Sequence, residues 1–487
     1  MKTKFIRNRK MRYGGIAALL TVLVIAVTVM ANAVFSTLAK RYAWYGVMLP
    51  EESYEVTEDC YAFLGEVFAQ NGGAKAEIIF CDKPENLQKE ITQAYLYETA
   101  TSLAARYPEN LTVTCHDIWT NPNTVRAYTE GVDPVTGQTV QTKLKSTSVI
   151  IVAQDYHRVY ALEEFYVFKG GNSADVWAYN GEKKLAAGVM RALDKNAPTV
   201  CLTKNHGEVF YDYELLYLLD DAGYRIGYID LYNDEIPENC HMIISYNPNS
   251  DLVSDDVSEI SEFDILNEFL AKEGNSFWVL LENGTPKLAN YEAYLAEWGV
   301  AFDYYTDNAT GSSFRYMVQD PSQSLTSDGY TIYGKTVQSG ASGQILQGLD
   351  RRAVFKNATS MSAAAGFINN GDGSYTKGNR TLYSLYESGE NAVSWANGKP
   401  VGGNGAMLMT LSEQKTAGEP SYVGVIASVD FSAEEFLQSA VYGNGDTLLR
   451  AFSHVGGNLT PEGLTIKPFS SQEISSITKS SDGTQSS

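Results

Sequence analysis

The sequence is poor in several residue types whose abundance would define a class of protein. Five cysteines in 487 residues are too few for a scaffold held together by disulfides. Fourteen prolines and 41 glycines are an ordinary share, which excludes a collagen-like or wholly disordered chain. The 37 lysines and arginines are outnumbered by 58 acidic residues, and the net charge is −21. This charge argues against a nucleic-acid partner, because phosphate binding requires clustered basic side chains.

Short motifs that mark common catalytic sites are also missing. The sequence has no P-loop, so the chain is not expected to hydrolyse ATP by that route. Neither Cys201 nor Cys240 is set in a nucleophile elbow of the G-x-C-x-G type. The five histidines are scattered singly, and no glycine-rich dinucleotide fingerprint follows a predicted strand. We therefore expect no catalytic residue, no metal and no cofactor.

One long apolar run stands near the N-terminus. Residues 14–39 carry no charge, and 26 residues exceed the ~20 that a helix needs to cross a bilayer core. Six basic residues precede the run and only Lys40 and Arg41 follow it, which places residues 1–13 in the cytoplasm and the bulk of a single-pass protein outside the cell. A cleaved signal peptide is the alternative, because Ala31-Asn32-Ala33 resembles a cleavage site.

Beyond this run, strand and helix patterns alternate, which predicts an α/β protein with two layered modules. The first module has the order βαβαββ and is expected to be thioredoxin-like, without the C-x-x-C pair that redox chemistry would need. The second is expected to be a doubly wound, mostly parallel sheet covered on both faces. The predicted segments are a stalk (40–74), the thioredoxin-like module (75–180), the sheet domain (181–303 and 406–460), a Gly/Ser/Asn-rich, β-rich insert (304–405) and a disordered tail (461–487).

The polar cluster Asn205-His206-Gly207-Glu208 follows a predicted strand directly, and Asn247 follows the next buried strand. Ligands of open α/β sheets bind beyond the carboxyl ends of strands, so these five residues form the predicted ligand-binding site. His206 could bind a metal or an anion, and Glu208 could act as a base. In the alternative interpretation, Glu208 lies in the first turn of the following helix and Gly207 supplies a turn.

The stretch from Glu182 to Glu208 resembles the joint of GldG-like proteins, the gliding-motility-type auxiliary components of ABC transporters. Their pattern is a helix, a lysine-containing link with proline, a strand, and a Gly-His-Gly-Glu loop, in which this chain has Asn205 in place of the first glycine. The resemblance implies an extracytoplasmic accessory subunit beside an ABC-2-type permease and a separate ATPase. It also implies a sheet like that of class I amidotransferases, without the nucleophile.

Three functions follow from these observations. The leading one is a non-enzymatic, membrane-anchored, extracytoplasmic accessory subunit of an ABC-2-type transporter, which acts by binding the permease and a ligand. The second is an anchored hydrolase of the cell envelope that uses Glu208 with Asp230 or Asp251. The third is a surface adhesin built on the tyrosine-containing, Asn/Gly/Ser-rich residues 304–405.

Overall fold

The computed structural model describes residues 55–133, 136–154, 156–168, 176–254, 261–403, 405–464 and 466–470, together with 473, 474 and 477. The apolar run at 14–39 and the predicted cytoplasmic tail lie outside these residues. Within the described part of the chain, no helix is both long and apolar enough to cross a bilayer.

The first module is a four-stranded sheet with helices packed on it. Its strands lie in the order β2-β1-β5-β6, with β1 parallel to β2 and antiparallel to β5. Its elements are α1 (Glu58–Gln70), β1 (Ala76–Phe80), α2 (Pro84–Leu87), α3 (Ile91–Arg106), β2 (Leu111–Cys115), β3 (Glu130–Val132), β4 (Thr139–Gln141), β5 (Val149–Ala153), β6 (Tyr156–Tyr160), β7 (Tyr166–Phe168), β8 (Val176–Tyr179) and α4 (Gly181–Leu193).

Helix α1 belongs to this module, so the predicted stalk is wrong for its residues. Thr57 caps the helix by accepting the backbone N–H of Cys60, and the buried face includes Phe63, Leu64 and Val67. Apolar side chains at this spacing form one helical face, and burying that face against a sheet stabilises the helix. These apolar residues, which fall within the predicted stalk, are therefore part of the core of the first module.

Helix α4 joins the two modules. The sequence placed its start at the beginning of the second domain, yet Leu185 and Val189 lie in the core of the first module. Gly188 faces β5 and β6, because a Cβ at this position would lie 2.5 Å from Ile151 Cδ1 and 2.8 Å from the Tyr160 hydroxyl. The helix is buried along most of its length, including Lys183 and Lys184.

The second module is built on a large mixed sheet. Its described elements are β9 (Thr199–Thr203), α5 (Glu214–Asp221), β10 (Arg225–Ile229), β11 (Cys240–Tyr246), α6 (Glu262–Leu270), β12 (Ser276–Leu280), α7 (Ala289–Glu297), β13 (Val300–Phe302), β14 (Tyr304–Thr306), β15 (Ser313–Arg315), β16 (Met317–Gln319), β17 (Thr331–Tyr333), β18 (Lys335–Thr336), α8 (Gly340–Leu346), β19 (Val354–Lys356), β20 (Met361–Ala363), β21 (Ile368–Asn369), β22 (Ser374–Lys377), β23 (Arg380–Glu387), β24 (Val393–Ala396), β25 (Lys399–Gly402), β26 (Met407–Gln414), β27 (Ser421–Ile426), α9 (Glu434–Leu437) and α10 (Asn444–Gly456). The last strand, β28 (Lys467–Pro468), returns to the first module.

The strand order of the large sheet is β10-β9-β11-β12-β27-β26-β23-β22-β21. The first five strands are parallel, and the pairings from β27 onward are antiparallel. The expectation of an α/β protein is confirmed at this level: the chain is a mixed α/β protein with a large mixed sheet. The sheet is parallel over only half of its width, which the sequence prediction of a mostly parallel sheet did not anticipate.

Side chains of alternate residues in the parallel strands enter two separate cores. Leu202 packs on the face that carries α5 and α10, together with Leu216 and Phe452. Cys201 packs on the opposite face, which carries α6 and α7, together with Leu266. Because successive side chains of a strand point to opposite faces, strands buried on both sides read as continuous apolar runs.

Residues 304–405 contribute strands to the large sheet as well as smaller ribbons. Strands β22 and β23 pair within the sheet, and β23 pairs with β26 along most of its length. The predicted insert therefore extends the central sheet. Its short apolar stretches lacked helical periodicity because they are strands of the antiparallel half.

The prediction of a disordered tail from residue 461 is wrong for the described residues up to 470. Strand β28 pairs with β8 of the first module, and Ile466 and Phe469 are buried. Ser-rich composition suggested disorder, but these two apolar side chains pack against the first module and order this part of the chain.

Candidate functional site

The predicted site lies where the connections from two neighbouring parallel strands leave on opposite faces of the sheet. From β9 the chain passes through α5 on one face, whereas from β11 it passes through α6 on the other. Strands β9 and β11 are neighbours in the sheet, so their carboxyl ends form a switch point, the place where ligands of open α/β sheets bind. The loops 204–208 and 247–250 follow these two strands.

The two loops are tied together by backbone contacts. Asn205 and Gly207 adopt left-handed φ angles of 77° and 70°, which turn the loop so that the carbonyl of His206 faces the second loop. That carbonyl accepts the N–H groups of Asn249 and Ser250, both at 2.7 Å. A Cβ at position 207 would lie 3.2 Å from Cβ of Asn249, so glycine permits the close approach.

His206 lies between two carboxylates. Its Nε2 is 3.0 Å from Oε2 of Glu262, the first residue of α6. Its Nδ1 is 3.5 Å from Oε1 of Glu208, within the range of an ion pair but long for a hydrogen bond. The backbone N–H of His206 donates to Oε2 of Glu208 at 2.8 Å, and His206 is only 4% exposed.

This arrangement favours the charged form of the imidazole. Burial disfavours the imidazolium, but Glu208 and Glu262 outweigh it and raise the pKa of His206 to about 9. Burial also acts to raise the pKa of Glu208, yet contacts with His206 and with the Thr203 hydroxyl lower it overall. The hydroxyl of Thr203 donates to Oε1 of Glu208 at 2.7 Å. A buried Glu-His-Glu ion cluster therefore joins the loop after β9 to the start of α6.

Asn205 belongs to a second cluster, at the end of β10. Its side-chain amide donates to Oδ2 of Asp230. Asp230 also accepts the backbone N–H of Tyr232 at 3.1 Å and the side-chain amide of Asn233 at 2.7 Å. Both carboxylate oxygens of Asp230 are thus engaged in holding the turn that follows β10.

Asn247 belongs to a third cluster, at the end of β11. Its Oδ1 accepts the hydroxyl of Thr285 at 3.2 Å, and its Nδ2 lies 3.3 Å from Oε1 of Glu282. The Tyr211 hydroxyl donates to the same Glu282 oxygen at 2.7 Å, and this donation raises the pKa of Tyr211. Asn247 is 1% exposed, whereas Tyr211 is 58% exposed, so the aromatic ring is what this cluster presents to solvent.

The structure thus brings all five predicted residues to one edge of the sheet and divides their side-chain contacts among three clusters. Glu208 does not lie in the first turn of a helix, because α5 begins only at Glu214. Glu208 instead lies in the loop, where it accepts hydrogen bonds from the Thr203 hydroxyl and the backbone N–H of His206.

The residues of the hydrolase hypothesis also have structural partners. Asp251 accepts the backbone N–H groups of Asn290 and Tyr291 and so caps the start of α7. Among the described residues, no group of three or more His, Cys, Asp and Glu side chains is arranged to hold a metal ion.

Sequence reasoning missed Glu262, Glu282 and Tyr211. Glu262 stands 56 residues after His206, so no local spacing links them. Glu282 could have been found, because it follows the buried strand β12 closely and should reach the same edge as Asn247.

Comparisons with known proteins give only distant likenesses. No family model and no curated protein matches the sequence. Among solved structures, the chain is similar to the mmIFT52 N-terminal domain at 14% identity and a TM-score of 0.37, over 53% of this chain and 96% of that one. It is also similar to a cytoplasmic protein, STM3548 from Salmonella typhimurium, at 12% identity and a TM-score of 0.29, over 53% and 98% of the two chains. At these TM-scores, neither likeness assigns a family or a function.

Proposed function

We propose that the protein is a non-enzymatic, membrane-anchored, extracytoplasmic accessory subunit of an ABC-2-type transporter. It is GldG-like in this proposal, with a cytoplasmic N-terminus, and it acts by binding the permease that works with a separate ATPase. The proposal combines the resemblance of residues 182–208 to the GldG-like joint with the surface beside the switch-point loops.

A group of exposed side chains, four tyrosines and one valine, carries this proposal. Its members lie in the segment between β9 and α5 and along the edge strand β10 and the turn after it. They are Val209 (47% exposed), Tyr211 (58%), Tyr213 (55%), Tyr228 (40%) and Tyr232 (44%). We call these five residues the tyrosine surface. Tyrosine is enriched in protein interfaces because it combines a large apolar ring with a polar tip.

The acidic side chains near this surface already accept hydrogen bonds from the fold, which favours a binding role over a catalytic one. Glu208, Asp230 and Asp251 each accept at least two hydrogen bonds from groups that hold loops or a helix start. A general base must reach a substrate proton, and these carboxylates are committed to the fold.

The proposal also includes a thioredoxin-like first module and a doubly wound second module. The order β2-β1-β5-β6, with β5 antiparallel to its neighbours, supports a thioredoxin-like first module. The order β10-β9-β11-β12-β27, with helices on both faces, supports a doubly wound second module like an amidotransferase sheet.

Affinity purification of the full chain in a mild detergent tests the proposal. We expect an ABC-2-type permease and its ATPase to co-purify with the wild-type chain. The double variant Val209→Ser/Tyr213→Ser should reduce their recovery several-fold, because it removes exposed apolar area from the tyrosine surface. The matched control is Trp119→Ser, which changes an 80% exposed aromatic residue of the first module.

Two outcomes would contradict the proposal. One is an eluate without permease or ATPase under conditions that keep known transporter complexes intact. The other is equal loss of recovery in the Trp119→Ser control, which would show that the tyrosine surface is not the specific contact.

A further inference from the structure

A large cavity lies between the two modules, away from the switch-point loops. Its volume is about 840 Å³, within the range of roughly 300–1,000 Å³ that is typical of small-molecule sites. One wall comes from the first module, through the β3–β4 ribbon and strands β6, β7 and β8. The other wall comes from α5 and α9 of the second module. Sites between domains are common, because two rigid bodies enclose more of a ligand than one does.

The charge on the cavity walls is mostly negative. The carboxylates that line it are Asp133, Glu163, Glu164, Glu214, Glu434 and Glu435. The lining contains one arginine, Arg158, and one lysine, Lys184. Each is already paired with α5: Arg158 with Asp220, and Lys184 with Asp221 at 2.6 Å. Arg158 also lies 3.5 Å from Glu164, and Glu435 lies 3.0 Å from Lys356, so these two lining carboxylates are partly neutralised. The lining still carries more carboxylates than cations, which makes the potential inside the cavity negative.

Aromatic side chains also line the cavity. They are Tyr128, Tyr166, Phe168, Trp177 and Tyr217. Aromatic faces attract cations through their quadrupole and also offer apolar contact. Carboxylates and aromatic rings together suit one class of ligand, which has a positive charge on an apolar body.

Glu214 occupies the wall where these features meet. Its Oε2 accepts the side-chain amide of Gln438 at 2.8 Å, which fixes the carboxylate across α5 and α9. Tyr217 lies one turn later on the same helix, so its ring and the Glu214 carboxylate share one face. Burial raises the pKa of Glu214 above its usual value, and a ligand cation would reverse that effect by favouring the carboxylate.

We propose that this cavity binds an organic cation, a protonated amine or a guanidinium carried on an apolar or aromatic body, with Glu214 and Tyr217 as principal contacts. The volume fits a small molecule, and the charge excludes anions. This site goes beyond the proposed transporter role and does not depend on it, because cation binding requires no permease.

Calorimetric titration of the full chain in a nonionic detergent tests the proposal with three matched probes. These are 4-phenylbutylamine, 4-phenylbutanol and 4-phenylbutyrate, which share a body and differ in charge. We expect the amine to bind at least tenfold more tightly than the alcohol, and the butyrate not to bind. Glu214→Gln and, separately, Tyr217→Leu should each weaken amine binding at least fivefold.

Two controls keep the test decisive. Glu238→Gln removes an exposed carboxylate that does not line the cavity and should leave amine binding unchanged. Glu163→Gln changes an exposed lining residue whose loss should not affect folding, so weaker amine binding there supports the proposal even where Glu214→Gln unfolds. Equal binding of amine and alcohol, no amine binding at millimolar concentration, or unchanged binding in every lining variant would overturn it.

Discussion

The imidazole Nε2 of His206 and the carboxylate Oε2 of Glu262 lie 3.0 Å apart in a region where Glu262 is 1% exposed. The same Glu262 oxygen accepts the backbone N–H of Val253 at 2.7 Å. One carboxylate therefore ties the loop after β9, the segment after β11 and the start of α6. These contacts fix the edge of the sheet beside which the tyrosine surface lies.

Replacing Glu262 by glutamine should destabilise the protein. The substitution removes the charge that faces His206, and a hydrogen bond to a charged group contributes about 2 kcal/mol. We expect the free energy of unfolding in urea to fall by about that amount. Glu268→Gln, an exposed substitution on the same helix, should change it by less than about 0.5 kcal/mol. Equal stabilities of the two variants would show that the ion pair contributes nothing.

Stability should fall as pH rises through the alkaline range because of His206. Its pKa is raised to about 9 in the fold, whereas an unfolded histidine titrates near 6.5. The stabilisation is thus fully present below about pH 6.5 and is lost as pH rises through 9, a loss of about 3 kcal/mol.

Urea unfolding at pH 6 and at pH 9.5, on the wild type and on His206→Gln, measures this loss. The wild type should lose about 3 kcal/mol more than the variant between the two pH values. Parallel pH dependence of the two proteins would mean that His206 is not held as an imidazolium.

Breaking the buried pair of Lys184 and Asp221 should be costly. Their charged atoms lie 2.6 Å apart, and their side chains are 5% and 7% exposed. Lys184→Met leaves Asp221 buried without its partner and should cost about 3–5 kcal/mol. The double variant Lys184→Met/Asp221→Leu should recover most of that loss.

The exposed pair of Lys335 and Glu390 supplies the control, with side chains that are 55% and 84% exposed. Lys335→Met should cost less than about 1 kcal/mol. If Lys184→Met were equally mild, helix α4 would not join the modules through a buried ion pair.

Two glycine-to-alanine substitutions in helices should have opposite effects. Gly188→Ala places a methyl group against Ile151 and Tyr160 and should destabilise the protein by about 1–3 kcal/mol. Gly343→Ala in α8 meets only one atom, at 3.7 Å, and should stabilise by about 1 kcal/mol through helix propensity. Thermal unfolding distinguishes them. A stabilising Gly188→Ala would contradict the close packing of α4 on the first sheet.

Local patterns in the sequence were sufficient to predict several elements of the structure. Strand β9 has the predicted bounds, 199–203, because a short apolar run there is flanked by Pro198 and by the Asn205–Gly207 turn. The placement of Asn205–Glu208 and Asn247 at one sheet edge also followed from the strand-end rule. These features depend on neighbouring residues and on a general property of parallel sheets.

Long-range pairing could not be predicted in the same way. In the register of β23 with β26, Arg380 pairs with Gln414, and no local sequence pattern specifies that pairing. The contact of His206 with Glu262 likewise depends on how α6 packs. The pairing of β28 with β8 joins Lys467 to Tyr179, which lie 288 residues apart in the sequence.

The most direct test of the account compares three measurements on Glu208→Gln: the free energy of unfolding, the recovery of permease, and transport-dependent growth or phenotype in cells. Glu208 is a structural partner of His206 and Thr203. We therefore expect cellular function to fall only as far as the amounts of folded protein and recovered permease fall. Loss of function with wild-type stability and wild-type permease recovery would contradict it, because such a result would assign chemistry to Glu208.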